Sequence, residues 1–122
     1  MAVKLVYCLR RRPELSLEEF QRTWLEDHGP LVKRIREVLP QMKRYVQSHR
    51  IPGPASEGLR ASRGADEPYD GITEVWFDSL EDTGAGSSDE AVAGALQLLE
   101  DERRFLDLPR CSVFITEEHE IF

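Results

Sequence analysis

Cysteine is scarce in this chain. Its two residues, Cys8 and Cys111, stand far apart in strand-like sequence with no CxxC spacing. That argues against a disulfide framework, a redox pair or a cysteine zinc site, and both read as small buried hydrophobes. Long apolar runs are missing too: none approaches the roughly 20 residues that span a bilayer. Positive charge is not in excess either. With 16 Lys and Arg against 23 Asp and Glu the net charge is −7, whereas phosphate binding needs clustered cations. Neither nucleic acid nor membrane is therefore expected as a partner. Two basic clusters, Arg10-Arg11-Arg12 and Lys33-Arg34-Arg36 with Lys43-Arg44, are short and read as solvated faces. The first residues, Met1 to Tyr7, lack the order of a secretory signal and read as a strand, so a cytoplasmic location is expected. Gly84-Ala85-Gly86-Ser87 precedes a helix but lacks the lysine and spacing of a phosphate-cradling loop. His28, His49 and His119 fall on different elements with no HxH or HxxxH spacing, so no metal is expected.

What is present suits one globular domain over residues 1–122, with 40% apolar and 32% charged residues. Val3 to Arg10 alternates as a strand, with Val3, Leu5, Tyr7 and Leu9 on one face and Val6 and Cys8 on the other. Ser16 and Glu19 form a capping box that opens a helix. On 3.6-residue spacing Phe20, Trp24, His28 and Leu31 share one stripe of that helix. Gly29 and Pro30 predict a break directly after His28, with the helix resuming to Val38. Met42–Arg50 is a second strand. A loop rich in Pro, Gly, Ala and Ser follows from Ile51 to about Pro68, long enough to suggest a lid or binding loop. Asp70–Phe77 is a third strand. Ser87-Ser88-Asp89-Glu90 predicts a second capping box, opening a helix to about Phe105 with Ala91, Ala95, Leu98, Glu102 and Phe105 on one stripe. Cys111–His119 is the last strand.

The order βαββαβ predicts an α+β, ferredoxin-like fold: a four-stranded antiparallel sheet with two helices on one face. The strands carry apolar residues on both faces: Leu5 and Tyr7 against Val6 and Cys8, Val75 and Phe77 against Ile72 and Trp76, Val113 and Ile115 against Phe114. A second copy of the sheet is the simplest cover for the open face, so a homodimer is expected.

A titratable imidazole on a buried stripe, beside an indole and an interrupted helix, is a place for a general acid or base to act on an apolar molecule. The competing reading is a core histidine bonded to a backbone carbonyl. Tyr7 and Tyr45 offer phenols for a carbonyl or a developing enolate. Glu74, on an otherwise apolar strand, is the carboxylate expected to be partly buried, either titrating near neutrality or salt-bridged to Arg44. In the acidic end, strand alternation would turn one of Glu117 and Glu118 inward.

Four segments in register, Trp24–Leu31, Arg44–Arg50, Tyr69–Phe77 and Phe114–His119, resemble the EthD family of the dimeric α+β barrel group. The resemblance covers nearly the whole chain except the 51–68 loop. It implies a homodimer with a small apolar pocket between sheet and helices. EthD proteins are named for an ether-degradation gene cluster, and fungal relatives look like dehydratases or cyclases of aromatic polyketides. The wider group includes monooxygenases, isomerases and haem proteins, so fold membership does not select a reaction. The expectation is a cofactor-independent enzyme acting by proton transfer (dehydration, cyclisation or isomerisation) on a small aromatic or polyketide-like molecule. His28, Tyr7, Tyr45 and Glu74 would be its catalytic candidates, and Trp24, Phe20, Leu31 and Trp76 would contact substrate. The alternatives are a non-catalytic binder of a hydrophobic ligand and a cofactor-free oxidoreductase or monooxygenase.

Overall fold

Alternating apolar residues make β1 (Val3–Leu9), which lies inside a four-stranded sheet. The structure, a computed structural model, describes residues 1–122. β1 pairs antiparallel with β3 (Gly71–Phe77) and β4 (Ser112–Thr116), and β3 pairs antiparallel with β2 (Arg44–His49). The order β2-β3-β1-β4 is the ferredoxin-like arrangement expected from the element order.

Register fixes which residues share a face. Tyr7, Thr73 and Val113 lie opposite one another, as do Leu5, Val75, Tyr45 and Ile115. Their face is covered by helices α1 (Leu17–Arg22), α2 (Gly29–Ile35) and α4 (Asp89–Glu102), except along the edge strand β4, where Val113 and Ile115 stay exposed. Lys4, Val6, Cys8, Ile72, Glu74, Trp76, Phe114 and Arg44 lie on the other face, which nothing covers.

Two buried clusters join helices to the sheet and to each other. Phe20 and Trp24 pack with Leu9, Phe105 and Leu106, while Leu31 and Ile35 pack with Leu39 and Ala91. Gly94 of α4 permits the close crossing with α2, since a methyl group there would lie 2.9 Å from Val38 and 3.1 Å from Ile35. A third cluster of Val3, Val75 and Phe77 lies on the sheet.

Three expectations need correction. The helix does not break at Gly29-Pro30. α1 passes through a π-helical segment, Thr23–His28, straight into α2, with Gly29 helical at φ −54° and ψ −52°. The wider π turn brings the Gly29 amide to the Trp24 carbonyl and places Pro30, which has no amide hydrogen, in the first turn of α2, where none is needed. The 51–68 segment is not all loop: Pro54–Ser62 forms α3, a helix with no buried residue. α4 is capped by Ser88, whose hydroxyl accepts from the Ala91 amide. With alanine at that third position, the box is only half formed. The box at Ser16 and Glu19 is complete, as expected.

Candidate functional site

The π turn is braced from the sheet. The Gln47 side-chain amide donates to the Trp24 carbonyl at 2.9 Å and to the Tyr45 hydroxyl at 3.2 Å. His49 stacks on the Trp24 indole with ring centres 4.3 Å apart, and its Nε2 donates to Gln47 Oε1 at 2.8 Å. Behind the indole, Gly71 leaves room that no other residue would: a methyl group there would meet the Trp24 ring at 2.5 Å. The turn carrying His28 is thus held on both sides.

A cavity of about 300 Å³ opens between the sheet and the helices, with a mostly apolar lining. Its polar groups are His28, Tyr7, Tyr45, Thr73, Thr83 and Glu102. His28 is 4% exposed and packs edge-on against Phe105 at 5.2 Å. Its Nδ1 lies 2.7 Å from Asp101 Oδ2. Burial pushes Asp101 up, but Arg104 and His28 outweigh it and hold the carboxyl below its ordinary value. The ionised carboxylate can only accept, so Nδ1 is the donor. Burial lowers the His28 pKa against the pull of Asp101. The neutral imidazole therefore keeps a lone pair on Nε2, which lies 4.0 Å from Glu102 Oε2.

Glu102 joins this pair to a phenol. The Tyr7 hydroxyl donates to Glu102 Oε1 at 3.0 Å. Burial raises the Glu102 pKa to about 7, Tyr7 pulls it back, and the charge of Asp101 adds to the rise. Burial, with Glu102 beside it, also pushes Tyr7 upward, so its phenol stays protonated at neutral pH. Burial raises Tyr45 in the same direction. The chain Asp101–His28–Glu102–Tyr7 can accept a proton at one atom and return it from another.

Of the residues singled out in the sequence, His28, Tyr7, Tyr45 and Trp24 line this cavity. Phe20 is fully buried behind it, stacked on Trp24 at 5.4 Å. Leu31 belongs to the neighbouring cluster with Ile35 and Leu39. Glu74 and Trp76 are on the open face of the sheet. There Glu74 pairs with Lys4 at 2.7 Å rather than with Arg44, which lies over the Trp76 ring at 4.6 Å. β4 ends at Thr116, so neither Glu117 nor Glu118 turns inward, and Glu118 instead accepts from the Trp76 indole at 2.7 Å. No group of three His, Cys, Asp or Glu side chains gathers with metal-binding geometry, and no helix is long and apolar enough to cross a membrane. Glu102 and Asp101 escaped the sequence reading as functional groups. Glu102 had left a signal there, a carboxyl on the apolar stripe of its helix.

The model of the EthD domain family matches residues 12–109. An EthD family protein from Bacillus halodurans C-125 is 22% identical over 98% of this chain and 100% of its own, with a TM-score of 0.62. A hydroxynitrile lyase from Passiflora edulis is 19% identical over 99% of this chain and 96% of its own, also at 0.62. A dimeric protein of unknown function with a ferredoxin-like fold from Bacteroides fragilis NCTC 9343 is 12% identical, covers 96% of each chain and gives 0.61. No curated protein matches the chain.

Proposed function

The chain belongs to the EthD domain family, and from that premise we propose that it is a cofactor-independent enzyme moving protons on a small aromatic or polyketide-like molecule held between sheet and helices. The observation that carries this reading is the neutral His28 imidazole lining a mostly apolar cavity, its Nδ1 fixed by Asp101 at 2.7 Å and its Nε2 4.0 Å from Glu102. Nε2 takes a proton from a C–H or O–H acid of the substrate. The Tyr7 or Tyr45 hydroxyl stabilises the oxyanion that develops. Glu102, with a pKa of about 7, returns a proton to the leaving group or to carbon. Trp24 forms a wall of the cavity. Dehydration, cyclisation and isomerisation all need no more than this. The hydroxynitrile lyase of like fold adds hydroxynitriles to the compounds worth testing.

The working unit is a homodimer, paired through the uncovered sheet face with its exposed Phe114 and Ile72. Neighbours of the same fold described as dimeric support this.

The test compares wild type with His28→Ala on a panel of aromatic ketones, polyketide-like compounds and hydroxynitriles, reading binding by calorimetry and products by mass spectrometry. Conversion by wild type and binding without conversion by the variant is the expected result. Equal binding by both with conversion by neither would favour a ligand carrier instead.

A further inference from the structure

A second cavity, of about 530 Å³, opens on the outer side of α2 and the β2 edge. Three cations line it, Lys33, Arg36 and Arg44, and no acidic side chain does. None of the three makes an ion pair, although acids outnumber bases by 23 to 16 in the chain. Arg36 donates only to the carbonyls of Met42 and Lys43, and Arg44 lies over the Trp76 ring. The floor is apolar: Val32, Met42 and Tyr45 line it, and the same three line the inner cavity that holds His28 and Glu102.

From this arrangement we infer that the outer cavity is the mouth of the inner one and binds the anionic head, a carboxylate or sulfonate, of a substrate whose body is apolar. Lys33 and Arg36, neither in an ion pair, stand over an apolar floor and make a site for such an amphiphile, with Arg44 at its edge and its guanidinium over Trp76 on the open sheet face. Orientation follows from charge. The inner cavity is lined by the Glu102 carboxyl beside His28 and by no Lys or Arg, so an anionic head finds no cation there and stays at the cations outside while the apolar body enters. Between the two lies Met42, whose unbranched chain can turn aside to join them. This substrate class rests on the reading of the inner cavity given above.

The test uses 2-naphthoate and its neutral counterpart 2-acetylnaphthalene, titrated calorimetrically into the wild-type protein and into the double variant Lys33→Gln, Arg36→Gln. Arg44 is left in place because its guanidinium lies over the Trp76 ring on the open sheet face. Circular dichroism checks that the variant folds. Wild type is expected to bind 2-naphthoate at least tenfold more tightly, a preference weakened by added salt. The double variant is expected to bind both alike, with its affinity for 2-acetylnaphthalene unchanged. Equal binding of the two probes by wild type overturns the anionic-head inference and leaves the inner cavity as a ligand site. A preference that survives in the double variant overturns the assignment to these cations. Binding of neither probe overturns the inference together with the reading of the inner cavity.

Discussion

Glu102 stands on a helix face that is otherwise apolar, and its protonation shapes how the protein responds to pH. Its pKa rises to about 7 in the fold from an ordinary 4.5, so between those values the folded chain holds a proton that the unfolded chain has released. Stability therefore falls as pH rises through that window, by on the order of 3 kcal/mol for a shift of this size. His28 acts in the opposite sense. Its lowered pKa means the unfolded chain takes up a proton first, and stability falls as pH drops below about 6.5. Glu102→Gln removes the first slope and keeps the second. Urea unfolding should show the variant gaining on wild type at pH 8 and not at pH 4.5. If Glu102 is the proton donor in turnover, wild-type kcat should decline above pH 7, and the variant should lose both that decline and most of its rate. Asp101→Asn should leave substrate binding intact and lower kcat about a hundredfold or more, because the amide no longer fixes the Nδ1 proton. The histidine could be found from helical spacing alone. Its partners could not: Asp101 sits in the charged run Glu100-Asp101-Glu102-Arg103-Arg104, and nothing local distinguishes it from its neighbours.

Elements were legible where a pattern had a local cause. The Ser16 box, the alternation of β1 and β3 and the stripe of α4 each follow from contacts within a few residues. Ser16→Ala should cost about 1 kcal/mol in urea unfolding through loss of the cap. The π turn was not legible, because Gly29-Pro30 is a breaker in an α-helix, and only the Gln47 and Gly29 bonds to the Trp24 carbonyl make the wider turn the better solution. Helix α3 was missed for another reason: with no residue buried it has no apolar period to read. Contact between elements also makes a prediction. At Gly71 the strand backbone touches the Trp24 indole, so Gly71→Ala should push the indole off the sheet. An overpacking loss of about 1–3 kcal/mol should appear in urea unfolding, with a blue or red shift of tryptophan emission as the ring leaves its present packing.

At the scale of the whole molecule, the sheet has one covered face and one that is open. Apolar residues on both faces of the strands were visible in the sequence, and the register now places Val6, Ile72 and Phe114 together on the open face. Phe114 is 48% exposed. Light scattering should give wild type a mass about twice its 14.0 kDa, and Phe114→Lys should shift it toward the single-chain value. A wild-type protein that runs as a single chain would leave the open face without the cover proposed for it.

The π turn also acts as a phase adjuster. One extra residue in a helix rotates everything beyond it by about 100°. Upstream of the turn, Phe20 and Trp24 aim at Leu9 and Phe105; downstream, Leu31 and Ile35 aim at Leu39 and Ala91. Wound as an α-helix throughout, the same residues would turn one half away from its core; the π turn takes up the extra residue, so that deleting one residue between Thr23 and His28 should give a regular α-helix with both halves still facing their own cores.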